Sequence, residues 1–198
     1  MKLIDRILQR WRIYKVLPSI PKSSYVLDIG CFAGELFQLA GKRIYGGLGI
    51  DPLLSASFSK SAHEDFTYVK GVFPDDMPVQ EKKFDAIVIL AVFEHIPENM
   101  INDFISACFN ILNEYGRVIL TIPCPFVDKI LIFLRKLRLI DGMSLEEHHE
   151  FPVGGIFNLF EKHAFKLLKH SKFQFGLNNL FVFEKKSLNK YIIKDFKL

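Results

Sequence analysis

Two aspartates lie at the ends of short apolar runs, and each carboxylate could bind a ligand. Asp28 lies in YVLDIGCFAGE, residues 25–35, just before a glycine-bearing turn, and Asp51 ends the run YGGLGID, residues 45–51. Parallel sheets bind ligands at the carboxyl ends of their strands. Both carboxylates are therefore candidates for binding a nucleotide cofactor, and the turn after Asp28 should indicate which cofactor.

The glycines of that turn argue against a dinucleotide. Gly30 and Gly34 are spaced G-x-x-x-G, whereas G-x-G-x-x-G places a pyrophosphate on a helix N-terminus. Asp28 would also repel that pyrophosphate, since like charges 4 Å apart cost about 4 kcal/mol at an effective dielectric of 20. A carboxylate suits S-adenosylmethionine, which carries an ammonium and a sulfonium but no phosphate. The stretch GKR, residues 41–43, lacks the upstream glycine and following Ser/Thr of a P-loop.

Short apolar runs alternate with helical patterns along the chain, which predicts a mostly parallel sheet covered by helices on both faces. The expected strands are 25–29, 45–51, 66–73, 84–90 and 116–123, and the expected helices are 2–16, 35–42, 53–62 and 97–112. A helix over 155–165 precedes two strands, 165–175 and 178–186, whose short link makes them antiparallel. The predicted fold is α/β, a Rossmann-like doubly wound sheet of seven strands with an antiparallel C-terminal pair.

The ordered motifs resemble those of class I S-adenosylmethionine-dependent methyltransferases, in particular the ubiquinone-biosynthesis type that acts on small molecules. The matching stretches are DIGCFAG at 28–34, GLGIDP at 47–52, FEHIP at 93–97 and ILNEYGRVILTIP at 111–123. The resemblance implies that Asp28 approaches the cofactor ammonium and that Asp51 accepts hydrogen bonds from both ribose hydroxyls. It also implies that the 71–73 loop flanks the adenine. The implied cofactor-binding residues are Asp28, Gly30, Cys31, Phe32, Gly34, Asp51, Pro52, Val72, Phe73, Leu90 and Ala91.

Three residues depart from the family pattern. Phe32 and Tyr115 stand where the family has glycine, and Val72 stands where it often has an acid. We expect Phe32 to be accommodated with its side chain pointing out of the loop and a φ below zero. Asp75 or Asp76 could replace the acid missing at Val72.

Three histidines are candidates for a general base, because a histidine pKa lies near neutrality. His95 follows the fourth predicted strand, and His148 and His149 lie in EEHHE, residues 146–150. The alternatives are that Glu94 and His95 cap a helix and hold the loop, and that EEHHE is a solvated loop or ligates zinc. We expect no metal, because adjacent histidines rarely face one ion.

The composition fits a globular domain, with 49% hydrophobic residues, a net charge of +4 and a pI of about 8.9. The three cysteines lack CxxC spacing, which favours reduced thiols and a cytoplasmic location. Leu3, Ile7 and Trp11 share one face of the N-terminal helix, and a second apolar helix with a basic edge is predicted over 126–140. Both helices could pack in the core or lie peripherally on the inner face of a membrane.

We expect one domain over residues 1–198, with an amphipathic helix at 1–21, a cofactor-binding core at 22–123, a substrate-side lid and loop at 124–165 and a strand pair at 166–186. The predicted reaction is methyl transfer from S-adenosylmethionine to a small-molecule or lipid-like acceptor, at oxygen. Nucleic acid is not expected, since no basic strip is interleaved with aromatic residues. The alternatives are an NAD(P)-dependent oxidoreductase and a non-catalytic binding protein of the same fold.

Overall fold

The computed structural model describes residues 3–54, 65–124 and 153–187. The strands of the described chain are β1 Ser24–Ile29, β2 Ile44–Ile50, β3 Phe66–Val69, β4 Phe84–Leu90, β5 Leu112–Pro123, β6 Phe165–Phe173 and β7 Asn178–Lys185. Its α-helices are α1 Leu3–Val16, α2 Glu35–Ala40, α3 Ile101–Ile111 and α4 Val153–Lys162. Four short 3₁₀ turns, Leu17–Ser19, Gly41–Arg43, Phe93–His95 and Glu98–Met100, connect them.

The strands form one seven-stranded sheet in the order β3-β2-β1-β4-β5-β7-β6. The pairs from β3 to β5 are parallel, and β7 runs antiparallel to both β5 and β6. This confirms the predicted Rossmann-like fold with an antiparallel C-terminal pair. The strand order reverses between β1 and β4, so the ligand crevice is expected at the carboxyl ends of these two strands.

Each face of the sheet has its own hydrophobic core, because side chains alternate along every strand. Leu27 and Ile29 of β1 belong to the core that α3 and α4 cover. Val26 belongs to the opposite core, which also holds Ile13 of α1 and Leu36 of α2. Since Asp28 is two residues from Val26, its carboxyl group lies on the α1 and α2 side of the sheet.

The outer face of α1 carries exposed apolar side chains. Ile13 and Val16 of this helix are buried, whereas Ile7, Trp11 and Tyr14 are exposed. The helix is fixed to the turn between β6 and β7, where Gln174 Nε2 donates to the Leu8 carbonyl at 2.8 Å. The face that Ile7 and Trp11 share therefore points outward, and α1 buries the stripe on its other side.

Other predicted boundaries differ in small ways. The predicted helix 97–112 begins only at Ile101, because Pro97 is extended at ψ 137° and a 3₁₀ turn follows it. Strand β3 ends at Val69, where the chain turns so that the Gly71 N–H reaches the Asp51 carbonyl. The predicted helix over 126–140 and residues 55–62 of the predicted helix 53–62 lie outside the described residues. Within the described ranges, no helix combines the length and apolar character that crossing a bilayer requires.

Candidate functional site

Asp28 is a buried carboxyl group at the carboxyl end of β1, with 3% of its surface exposed. Burial raises its pKa to about 8, and the nearby Asp51 carboxylate adds to the rise. At neutral pH the group is therefore mostly protonated in the ligand-free protein. A cation placed beside it would favour the ionised form, so the site is suited to an ammonium group.

Asp51 follows β2 and is also buried. Its Oδ2 atom accepts the Phe32 N–H at 2.8 Å, and its Oδ1 atom accepts the Leu53 N–H at 2.7 Å. A carboxylate has about four acceptor positions, so each oxygen can accept one further hydrogen bond. The carboxylate thus fixes two loops and still has the acceptors that a vicinal diol requires.

The turn between β1 and α2 is built largely from left-handed backbone. Gly30 has φ 80° and Gly34 has φ 65°, and Phe32 between them has φ 44° with 47% of its surface exposed. The side chain does point outward, but the expectation of a negative φ at Phe32 was wrong. Hydrogen bonding explains the difference, because the Phe32 N–H is held by Asp51 and the Gly34 N–H by the Cys31 carbonyl at 2.7 Å.

Tyr115 repeats this substitution at a second position. It also replaces a glycine of the family pattern, has φ 61° and is 60% exposed. Both aromatic residues thus keep the backbone region that favours glycine.

Cys31 anchors the turn to β2. Burial, together with Asp28 and Asp51, raises the pKa of its thiol far above the usual range, so the thiol stays neutral. A Cβ atom added at Gly49 of β2 would lie 2.8 Å from the Cys31 Sγ. Gly49 therefore provides the space that lets the turn approach the sheet.

The loop after β3 is closed by an acid. Asp76 Oδ2 accepts the Val72 N–H at 2.8 Å, and the Asp76 N–H donates to the Val72 carbonyl at 2.9 Å. Val72 is exposed, whereas Phe73 is buried with its ring 5.1 Å from that of Phe104. Asp76 is one of the two suggested replacements for the acid missing at Val72. One of its carboxylate oxygens thus binds the backbone of the loop.

The end of β4 borders the same crevice and is joined to β5. Leu90 and Ala91 are half-buried, and the Ala91 N–H lies 3.2 Å from Thr121 Oγ1 and 3.3 Å from the Thr121 carbonyl. Ala91 has φ 56°. The chain therefore leaves the sheet sharply here and enters the 3₁₀ turn Phe93–His95.

The amino-acid sequence matches the methyltransferase-domain family over residues 2–178. The chain belongs to this family. The match confirms the resemblance drawn from the motifs, and with it the predicted enzyme class and the S-adenosylmethionine cofactor. No curated protein matches the sequence.

Solved structures share the fold of this methyltransferase at low sequence identity. The N-methyltransferase NodS from Bradyrhizobium japonicum WM9 is 15% identical with a TM-score of 0.66, over 93% of this chain and 100% of NodS. Magnesium protoporphyrin IX methyltransferase from Synechocystis PCC 6803, with bound SAH, is 14% identical with a TM-score of 0.64, over 91% of this chain and 85% of that enzyme. The 1,6-didemethyltoxoflavin-N1-methyltransferase from Burkholderia thailandensis is 14% identical with a TM-score of 0.68, over 90% of this chain and 78% of that enzyme.

The structure brings most of the predicted cofactor residues of the methyltransferase to one edge of the sheet. The Asp51 carboxylate raises the pKa of Asp28 and accepts a hydrogen bond from the Phe32 N–H of the 30–34 turn. Pro52 is exposed beside Asp51. Leu90 and Ala91 lie at the carboxyl end of β4, next to β1 in the sheet, where the strand order reverses. Phe73 is placed in the core of the α3 side rather than at an open surface.

The histidines are placed less completely. His95 is half-buried at the end of the turn after β4, and its N–H donates to the Val92 carbonyl at 3.0 Å. His148, His149 and the whole EEHHE stretch lie outside the described residues. Within the described part of the methyltransferase, no group of three or more His, Cys, Asp or Glu side chains could hold a metal ion.

The sequence analysis missed Arg12, a half-buried arginine on α1. Burial lowers the pKa of its guanidinium, and the Glu94 carboxylate acts in the opposite direction. Its Nε atom makes no hydrogen bond within the described ranges. The available signal was its position on the same helical face as Val16, four residues later. Arg12 places charge from the first helix beside the Glu94–His95 turn.

Proposed function

We propose that the chain transfers the methyl group of S-adenosylmethionine to an oxygen atom of a small-molecule or lipid-like acceptor, using the site at the carboxyl ends of β1, β2 and β4. The observation that carries the proposal is the pair Asp28 and Asp51, two buried carboxyl groups, of which Asp51 helps to raise the pKa of Asp28. Burying two acids together is unfavourable unless a ligand compensates them.

Asp28 provides the site for the cofactor's ammonium in this proposal. Its carboxyl group is protonated near neutrality in the free protein, and ionisation beside an ammonium converts the buried pair into an opposite-charge contact. The backbone of the turn at Gly30 and Gly34 has no side chain to hold the ligand away. These features support placing the methionine part of the cofactor against this turn.

Asp51 provides the site for the ribose. Both its oxygens are already oriented by backbone N–H groups at 2.7 and 2.8 Å, so little reorganisation is needed when two hydroxyls donate to the remaining acceptor positions. Pro52, Val72, Leu90 and Ala91 would then border the nucleoside.

Positioning is the main task left to the protein. The cofactor carries its methyl group on a sulfonium and departs as a neutral thioether, which is a good leaving group. Orientation of the acceptor can contribute about 7–11 kcal/mol of barrier lowering. We assign to His95 the removal of the hydroxyl proton from the acceptor, because the turn that carries it follows β4 at the crevice. Such base assistance is worth roughly 10²–10⁴-fold. His148 and His149 are the alternative bases.

Two observations support the proposed acceptor class. The names of the magnesium protoporphyrin and didemethyltoxoflavin enzymes state that their acceptors are small molecules. This supports a similar acceptor here. The basic, apolar α1 supports peripheral contact with the inner face of a membrane and hence a lipid-like acceptor. We further propose a cytoplasmic enzyme whose whole chain, residues 1–198, is one methyltransferase domain.

A thermal shift with S-adenosylhomocysteine, run beside NADH, tests the cofactor assignment. At 100 times its dissociation constant a ligand stabilises by about 2.7 kcal/mol, which is several degrees for a domain of this size. We expect a shift with S-adenosylhomocysteine alone, and its loss in Asp51→Ala. Asp103→Ala, which removes an exposed acid of α3, is the matched control. A shift with NADH alone, or an unchanged shift in Asp51→Ala, would overturn the assignment.

Transfer of labelled methyl groups tests the acceptor. The enzyme is incubated with labelled S-adenosylmethionine and with either the lipid fraction or the water-soluble fraction of a cell extract. We expect label in a product of one fraction and its loss in Asp51→Ala. A product methylated at nitrogen or carbon would contradict the assignment to oxygen, and no product in either fraction would contradict catalysis of this class.

A further inference from the structure

An exposed apolar surface lies on the outer side of α1 and the adjacent hairpin turn. Its members are Ile7, Trp11 and Tyr14 of α1 and Phe175 of the turn between β6 and β7, and we name this set the aromatic patch. The helical residues follow the spacing i, i+4 and i+7, so they form one stripe. Phe175 meets Trp11 edge to face, with ring centroids 5.6 Å apart. The four side chains therefore form a continuous surface rather than scattered exposed residues.

The position of Phe175 is fixed by the surrounding structure. Phe175 is 92% exposed, and Gln174, Phe175 and Gly176 all have left-handed backbone, with φ of 51°, 57° and 86°. That region is costly for a bulky residue. The turn is held by Gln174, which donates to the Leu8 carbonyl at 2.8 Å and accepts from Asn178 Nδ2 at 2.6 Å. A strained backbone that presents a large apolar side chain to water suggests a binding role.

Basic side chains flank the aromatic patch. Helix α1 carries Arg6, Arg10 and Lys15 around the stripe and one acid, Asp5. Arg6 and Arg10 are exposed. Trp and Tyr, which have an apolar body and a polar edge, suit the boundary between water and lipid. The charge and the residue types together match an anionic bilayer surface.

We propose that the aromatic patch docks the methyltransferase on an anionic membrane surface, with Trp11 and Phe175 inserted among the headgroups and Arg6 and Arg10 facing lipid phosphates. The purpose of this docking rests on the proposed lipid-like acceptor. On its opposite side the same helix carries Arg12, whose charge lies near Glu94 after β4. Docking through α1 would therefore place the β4 end of the crevice one helix diameter, roughly 10 Å, from the membrane surface.

The fluorescence of Trp11 reports docking directly, because Trp11 is the single tryptophan of the chain. The full chain is titrated with vesicles of phosphatidylcholine alone and with vesicles that also contain phosphatidylglycerol. We expect a blue shift and co-sedimentation only with phosphatidylglycerol. The binding should weaken as salt is added.

Two matched pairs of variants locate the contact. Phe175→Ser should weaken partition about tenfold or more, whereas Val79→Ser, at a side chain that is 99% exposed elsewhere, should leave it unchanged. Arg10→Gln should weaken it about fivefold, whereas Lys82→Gln, also at an exposed site, should change it much less. Equal effects within each pair would overturn the proposal.

The other outcomes also decide. Equal binding to both vesicle types would overturn the anionic surface as the occupant. A concentration-dependent dimer without vesicles, abolished by Phe175→Ser in sedimentation velocity, would assign the aromatic patch to a second copy of the chain. S-adenosylhomocysteine binding is measured on the same samples. A protein that binds S-adenosylhomocysteine but not vesicles overturns only this inference. A protein that binds vesicles but not S-adenosylhomocysteine overturns only the proposed function.

Discussion

The Asp51 carboxylate accepts the backbone N–H of Phe32 at 2.8 Å, across 19 positions of sequence. The acid at the end of β2 thereby sets the conformation of the turn after β1. The ribose acid and the methionine loop of the proposed site are therefore one hydrogen-bonded unit. Phe32 keeps a left-handed backbone inside this unit, although the side chain makes that conformation unfavourable.

Replacing Phe32 by glycine should stabilise the protein. The left-handed backbone costs a residue with a Cβ roughly 1–2 kcal/mol, which is partly offset by the greater freedom of glycine in the unfolded chain. We expect a gain of up to about 1 kcal/mol in the free energy of unfolding, measured by urea denaturation. Tyr115→Gly, at the equivalent backbone region away from the site, should give a similar gain. A loss of stability in Phe32→Gly alone would mean that its ring packs against the protein.

Binding of S-adenosylhomocysteine should strengthen as pH rises towards 8. The pKa of Asp28 is raised to about 8, so at lower pH a proton must leave before the carboxylate can pair with an ammonium. Affinity should fall by about tenfold for each pH unit below 8 and level off above it. Calorimetry on wild type and Asp28→Asn separates this effect from titration of the ligand. The same pH slope in both proteins would rule out Asp28 as the titrating group.

The same carboxyl group should reduce stability at alkaline pH. A carboxyl pKa that is higher in the folded state means that the folded protein binds more protons, so stability falls as pH rises from about 4 to about 8. Asp28→Asn removes this dependence. We expect Asp28→Asn to raise the melting temperature of the ligand-free protein by several degrees at pH 8.5 and by little at pH 5. A variant that melts lower at both values would point to a structural role.

Gly49 and Gly154 should respond oppositely to alanine. A Cβ at Gly49 would lie 2.8 Å from Cys31 Sγ and 2.9 Å from a Tyr68 ring carbon, whereas one at Gly154 of α4 meets nothing within 4 Å. Overpacking typically costs about 1–3 kcal/mol, and alanine in a helix gains roughly 0.5–1 kcal/mol over glycine. Chemical denaturation of the two variants checks both signs. Gly49→Ala should also weaken S-adenosylhomocysteine binding, because Cys31 belongs to the turn.

A double-mutant cycle should reveal the coupling between Arg12 and Glu94. Glu94 is buried and Arg12 is half-buried, so the loss of one charge leaves the other less compensated. We expect the effects of Arg12→Met and Glu94→Gln on unfolding to be non-additive by about 1–3 kcal/mol. Asp103, an exposed acid on α3, serves as the distant comparison and should add to Arg12→Met within about 0.5 kcal/mol. Additivity for Arg12 and Glu94 would exclude a direct coupling.

The sheet could be predicted from the sequence because its strands are short apolar runs with clear ends. Strand β4 was predicted over its observed bounds, 84–90, since an uninterrupted run of β-branched and apolar residues suits a strand covered on both faces. The chain order of strands and helices then constrains the sheet topology. Asp28 and Asp51 could be predicted as site residues for the same reason, because each terminates such a run.

The misplaced features depend on contacts between distant parts of the chain. Helix α1 has apolar residues on more than one side, so its periodicity could not tell that Trp11 faces outward while Ile13 is buried. Arg12 was missed because an arginine in an amphipathic pattern is expected to face water, and its counter-charge comes from the Glu94 turn, which is distant in sequence. The sign of φ at Phe32 follows from capture of its N–H by Asp51, which no local rule contains.

The position of β7 determines when the sheet can be completed during synthesis. This strand, residues 178–185, lies between β5 and β6 although it leaves the ribosome after both. Until it emerges, β5 has an open edge at Arg117–Pro123, the stretch that later pairs with β7. Open edges of apolar strands readily pair with other chains. A nascent chain that stalls before residue 178 would therefore hold a finished β1–β4 half beside an aggregation-prone strand, so the final residues of the sheet act as its safeguard.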